Sequence, residues 1–232
     1  MSSTNTGLVA YAKKALAEKW GYVWGTFGQV LTPDIFAQKV RQYPSGVGNY
    51  FDFIKEHWVG KKSTDCVGFI KGYYWSASGN LKYSGVTDVS ADMMFNLATE
   101  KGSISTIPEI VGLCVWKMGH IGIYIGNGQV IEAHGTKYGV IQTPLKNGTA
   151  WTHWLKCPYI AYNSSPKVTS TDKYKSVTAS ELNVRTGAGI SYNVIGTLNK
   201  GDKVKIFKTL TNGWTEIYFG DHGGFISTQY IK

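Results

Sequence analysis

The stretch Ser63-Thr64-Asp65-Cys66-Val67-Gly68-Phe69-Ile70 decides how this chain is read, because it sets a cysteine at the head of an apolar segment that runs on through Tyr73, Tyr74 and Trp75. Ser63 or Thr64 can act as an N-cap, and the apolar positions recur at helical spacing, so the pattern predicts a helix with Cys66 in its first turn. Free N–H groups at a helix start favour thiolate over thiol and can also hold an oxyanion on a carbonyl under attack. The plainer reading is a small buried cysteine where a helix begins.

Outward from this point, residues 6–20 read as an amphipathic helix capped near Thr6, with Val9, Ala12, Leu16 and Trp20 along one side. Residues 33–42 are expected to be helical, with Thr32 as cap and Pro33 in the first position. Further helices are expected over 50–58 and 86–100, the second capped by Asp88 or Ser90 and filling core gaps with Met93 and Met94. The pattern then changes to short β-rich segments at 113–118, 121–125, 129–133 and 138–143. Helices followed by an antiparallel sheet make an α+β domain. Residues 163–172 are polar and broken by Pro166, which marks a linker. From 173 to 232 only short strands and Gly-containing turns remain, the pattern of a small all-β barrel.

The net charge of +9 points to a polyanionic partner. No RNP-like, zinc-finger or arginine-rich pattern accompanies it, which argues against nucleic acid. No apolar run approaches a membrane span, and the first ten residues lack the basic start and apolar core of a signal peptide. Cys66, Cys114 and Cys157 form neither a disulfide framework nor a zinc pattern, so no metal or cofactor is expected and the chain looks made in a reducing cytoplasm.

A thiol nucleophile needs a base and a group that orients the base. His120 opens the segment His120-Ile121-Gly122-Ile123-Tyr124-Ile125-Gly126, a suitable place for a base at a cleft edge. A two-residue Asn127-Gly128 loop would pair 123 with 132 and put His120 and Glu132 on opposite faces. A three-residue loop with a bulge pairs 122 with 132 and 120 with 134, which brings Glu132 and His134 to the face of His120. Glu132 is the preferred third group and His134 the reserve. His57, His153 and His222 have no paired ligand spacing and read as surface or packing residues.

These residues carry a family resemblance. Asp65-Cys66-Val67-Gly68-Phe69 resembles the Asp-Cys-Ser-Gly-Phe nucleophile motif of the NlpC-type cell-wall peptidases, a papain-like group, and 119–128 resembles their histidine strand. Tyr22-Val23-Trp24-Gly25 is similar to their Tyr-x-x-Gly segment. The resemblance implies a catalytic domain over 1–162 with Cys66 as nucleophile, His120 as base and Glu132 in the third place. It further implies the Tyr22 hydroxyl near the sulfur and Asp65 against the substrate peptide, although both could be packing and capping residues. Val67 stands where the family usually has Ser, no Gly-Asp-Leu precedes the histidine strand, and 26–62 is an insertion.

Leu182-Asn183-Val184-Arg185-Thr186-Gly187, Gly213-Trp214 and Gly223-Gly224-Phe225-Ile226 resemble a bacterial SH3-like domain, a type that commonly binds cell-wall peptides or polymers. Tyr192, Trp214 and Tyr218 are its binding candidates, with Trp214 alternatively filling the barrel core. Together the two resemblances imply a monomeric, endolysin-like hydrolase of Gram-positive peptidoglycan, released to the wall through a separate pore. The expected bond is γ-D-glutamyl–diamino acid. The alternatives are a muramoyl–L-alanine amidase, a host wall-remodelling peptidase and a non-catalytic wall-binding protein.

Overall fold

The computed structural model describes residues 3–162, 174–210, 212–220 and 223–232. The chain forms two compact units, Met1–Ser165 and Pro166–Lys232. The linker expected at 163–172 and His222 lie outside the described residues.

The first unit opens with α1 (Asn5–Ala17), whose cap is Thr4 rather than Thr6: the Thr4 Oγ1 accepts from the Gly7 N–H. Then come β1 (Gly21–Tyr22), β2 (Phe27–Val30), α2 (Pro33–Gln42), α3 (Phe51–His57) and β3 (Lys62–Thr64). Helix α2 has the expected bounds because Thr32 caps it and Pro33 supplies a preset φ where no N–H is needed. The segment between β1 and β3 folds around its own small core of Val23, Leu31, Phe36, Val47 and Ile54.

Cys66 begins α4 (Cys66–Trp75). Its cap is Asp65, not Ser63 or Thr64, because those two residues are spent in β3, which pairs parallel to β1 through Gly21 with Ser63 and Tyr22 with Thr64. Gly68 and Gly72 let the 26–27 backbone cross α4 closely: a Cβ at either would land on the Thr26 or Phe27 carbonyl oxygen. The next helix, α5 (Ala91–Leu97), is shorter than expected and capped by Ser90. Met94 is buried, but Met93 is half exposed and fills no core gap.

A six-stranded sheet completes this unit, formed by β4 (Lys101–Ser103), β5 (Cys114–Lys117), β6 (His120–Gly126), β7 (Gln129–Gly135), β8 (Gly139–Pro144) and β9 (His153–Leu155). Its strand order is β4-β9-β5-β6-β7-β8, antiparallel throughout. Alternation sorts its side chains: Cys114, Ile121, Ile123, Ile131 and Ala133 join α1 and α4 in the main core. Val115, Tyr124 and Val130 pack with Leu113 and Trp151 on the other face. The α+β class expected from the sequence is therefore present.

The second unit is a six-stranded sheet of β10 (Tyr174–Ser176), β11 (Glu181–Arg185), β12 (Val194–Asn199), β13 (Lys203–Thr209), β14 (Trp214–Ile217) and β15 (Gly224–Ser227). Val177, Leu182, Val184, Val204, Ile217, Ile226 and Ile231 form its core. Trp214 is only half-buried and stands outside that core, contrary to the packing role considered for it.

Candidate active site

Helix α4 sets Cys66 against the sheet, and the sulfur meets backbone on both sides of His120. It lies 4.0 Å from the Gly119 carbonyl oxygen, and the nearby backbone N–H groups of Ile121, Val67 and Cys66 favour its ionised form. Burial is the largest influence on this thiol and the adjacent Asp65 carboxylate the next; together they push it up to about 12 against the pull of those N–H groups. The helix start acts in the direction expected from sequence, but burial outweighs it. The resting group is a thiol, which needs a base to become a nucleophile.

The β1–β3 pairing delivers Tyr22 to the same place. Its hydroxyl lies near Cys66, and burial together with the nearby Cys66 and Asp65 keeps the phenol protonated. Asp65 uses both carboxylate oxygens on backbone: Oδ1 accepts from the Gly68 N–H at 2.6 Å and Oδ2 from the Gly25 N–H at 2.8 Å. It thus ties the start of α4 to the turn after β1. Burial raises its carboxyl, a tendency Lys71 and these two N–H groups oppose.

The β6–β7 hairpin assembles the second half of the site. Ile123 faces Ile131 and Tyr124 faces Val130, the register that puts His120 and Glu132 on one face. The loop is nonetheless two residues long: Asn127 and Gly128 both have positive φ, and Gly126 pairs with Gln129. An irregularity between Tyr124 and Gly126 leaves Ile125 as the extra residue that shifts the register by one.

His120 Nε2 is 2.7 Å from Glu132 Oε2, and His134 Nδ1 approaches the same oxygen at 3.1 Å. The other carboxylate oxygen accepts from the Thr143 hydroxyl at 2.6 Å and the Thr149 hydroxyl at 2.7 Å. Glu132 is fully buried. Burial alone would raise its carboxyl, but the bonds from His120, Thr143, Thr149 and His134 outweigh it and hold the group down at about 2. Trp151 stacks on the His120 ring, with centroids 5.3 Å apart and planes 10° apart.

Sequence reasoning missed Thr143, Thr149 and Trp151. The register offered one signal: Thr143 faces Val130, diagonal to Glu132 across β7 and β8. Trp151 and Thr149 come from the segment after β8, where no periodicity points to them. The nitrogen and oxygen atoms of His120, Glu132 and His134 lie within 4.8 Å of one another, a His/carboxylate set chemically able to hold a metal ion. His57 stacks on Phe53 and His153 packs edge-on to Phe95, both apart from this cluster. Cys114 and Cys157 are buried free thiols.

In the second unit, Tyr192 and Tyr218 are 51% and 53% exposed. Tyr218 meets the edge of Phe207 at 5.7 Å, with Lys205 Nζ 5.3 Å from its centroid. The Tyr192 carbonyl accepts from Arg185 at 2.8 Å.

This pairing of a cysteine-headed helix with a histidine strand, followed by a small β unit, has counterparts among known proteins. Residues 55–158 match the NlpC/P60 family and residues 180–232 match the bacterial SH3 domain. The chain thus contains an NlpC/P60 domain followed by a bacterial SH3 domain. It is 29% identical over 136 residues to the probable endopeptidase p60 of Listeria seeligeri, covering 55% of this chain and 25% of the relative. The probable endopeptidase p60 of Listeria monocytogenes is 30% identical over 135 residues, covering 55% and 28%. The chain therefore spans about a quarter of the length of these relatives. Among solved structures, the NlpC/p60 domain of the peptidoglycan hydrolase SagA aligns with a TM-score of 0.38 at 21% identity, over 66% of this chain and 97% of that one. Ly7917 aligns with a TM-score of 0.32 at 14% identity, over 97% and 92%.

Proposed function

We propose that the protein is a peptidoglycan hydrolase that cuts an amide bond of the stem peptide through Cys66, His120 and Glu132. The observation that carries this reading is the His120–Glu132 pair at 2.7 Å, its carboxylate buried and its histidine on the strand whose backbone lies beside the Cys66 sulfur. Because Nε2 is engaged by Glu132, Nδ1 is the ring nitrogen left to take the thiol proton. The sulfur then attacks the amide carbonyl. The developing oxyanion is met by the helix-start N–H groups and the Tyr22 hydroxyl, while Glu132 stabilises the imidazolium. His120 passes its proton to the leaving amine, and water activated by the same imidazole releases the acyl group from sulfur. A thiol held up by burial fits a mechanism in which base and nucleophile act together rather than one with a standing thiolate.

The bond assigned is γ-D-glutamyl–diamino acid, and residues 1–162 are assigned the chemistry. Residues 173–232 are assigned wall binding, with the exposed Tyr192 and Tyr218 as contacts, supported by the bacterial SH3 match and the net charge of +9. A catalytic front and a wall-binding rear on a basic chain suit an endolysin. Among the described residues no helix is long and apolar enough to cross a membrane.

Digestion of purified Gram-positive peptidoglycan by the protein and by Cys66→Ala, with the fragments read by mass spectrometry, tests the assignment. Fragments ending at D-glutamate, formed only with Cys66, are expected. New L-alanine N-termini would move the bond to the muramoyl amide. Intact wall with binding retained would remove the hydrolase and leave a wall-binding protein.

A further inference from the structure

Asp65, the residue before Cys66, is among the residues lining a cleft of about 660 Å³ that draws on α4 and on α2 of the insertion; Cys66 and His120 are not in that lining. One wall is aromatic: Phe27 meets Trp75 edge-on at 5.0 Å, and Trp75 meets Tyr83 at 5.2 Å. The floor holds charges already engaged. Lys71 Nζ donates to Asp88 Oδ1 and to the Val89 carbonyl, Asp88 also accepts from the Tyr83 hydroxyl, and Asp65 is bound to two N–H groups.

Lys39, on the α2 wall, differs. Its ammonium donates to the neutral Gln42 amide oxygen at 2.9 Å and lies over the Tyr43 ring, and among the described residues no carboxylate comes within ion-pair distance of it. Partial burial makes the ammonium easier to deprotonate, and the more distant Asp65 and Asp88 oppose that. A half-buried cation facing a peptide-sized space, with only a neutral partner, is complementary to an anion that also presents apolar groups to the aromatic wall. Helix α2 precedes the matched family segment at 55–158, so this wall is a feature of this chain rather than of that segment.

We infer that Lys39 is a substrate-binding residue that takes a free carboxylate of the stem peptide whose scissile amide lies at Cys66. The inference deepens the hydrolase reading above and rests on it. The cleft then extends the reactive site along the substrate, and the insertion discriminates peptides with a free carboxylate from those in which it is an amide.

The test uses one synthetic stem peptide in two forms, carboxylate and carboxamide, with the full-length protein, Lys39→Gln and Lys39→Arg. The carboxylate form is expected to be favoured roughly tenfold, the difference falling on KM rather than kcat. Lys39→Gln should abolish that preference and Lys39→Arg retain most of it. Equal preference in the protein and in Lys39→Gln would overturn the assignment. Calorimetric binding of both forms to Cys66→Ala keeps the test independent of turnover. A Lys39-dependent preference in binding without hydrolysis supports the subsite while removing the chemistry, and no preference in binding removes the subsite.

Discussion

Replacing Glu132 with glutamine puts the buried carboxylate to a quantitative test. Its pKa is about 2 in the folded protein against an ordinary 4.5, a gap worth roughly 3 kcal/mol of stability at neutral pH. The sign follows from which state binds the proton. Above pH 4.5 the group is ionised in both states and its full contribution is present. As pH falls from 4.5 towards 2, the unfolded chain takes up a proton that the folded chain refuses, and the contribution drains away. Glutamine cannot titrate, so the stability gap between the protein and Glu132→Gln should be about 2 kcal/mol smaller at pH 3 than at pH 7. Carboxylates remote from residue 132 titrate alike in both proteins and cancel. Urea denaturation followed by tryptophan fluorescence reads the right unit, because every tryptophan except Trp214 lies in residues 1–165. A gap that stays flat from pH 7 to pH 3 would refute the claim that the hydrogen-bonded, ionised carboxylate stabilises this fold. The same variant should lose roughly 10²–10⁴ in kcat, since an amide can hold the ring but cannot stabilise the imidazolium.

Two further outcomes follow from the packing around Cys66. With the thiol pushed up to about 12, its alkylation by iodoacetamide should keep accelerating from pH 6 to pH 9; a plateau below pH 8 would reveal a standing thiolate and contradict the burial argument. Gly72→Ala should cost about 2–4 kcal/mol, because the new methyl falls on the Phe27 carbonyl oxygen and α4 cannot back away without disturbing Gly68 against Thr26. A melting temperature within two degrees of the parent, in a thermal scan, would show that α4 and β2 are not packed so closely.

What could be read from sequence was what depends on neighbours along the chain. Helix α2 came out with its true bounds because Thr32 and Pro33 are local signals. Strands β5, β6, β7 and β8 came out because alternation and Gly-containing turns are local too. The N-cap of α4 did not, because Ser63 and Thr64 are claimed by β1, a partner some forty residues away that no local rule reveals. Met93 carries the same helical signal as Met94 yet faces solvent, since periodicity gives a stripe without saying where the neighbouring wall stops. Strands β4 and β9, which extend the sheet beyond β5, are three residues each and too short to show a period.

The hairpin shows most clearly what local chemistry leaves open at the site. Asn127-Gly128 is a two-residue turn with both φ values positive, and such a turn alone would pair 123 with 132 and send Glu132 away from His120. One unpaired residue, Ile125, reverses that outcome. Nothing in Tyr124-Ile125-Gly126 announces it in advance, but the alternative register would bury His120 and Glu132 on opposite faces, each without its partner, and place Ile131 and Ala133 away from the α4 side of the sheet. The bulge is thus selected by the core and by the carboxylate together. A distant part of the chain likewise overrides the helix start in setting the state of Cys66. The dipole is fixed by four residues of sequence, whereas the burial that overrides it is fixed by which strand lies across the sulfur.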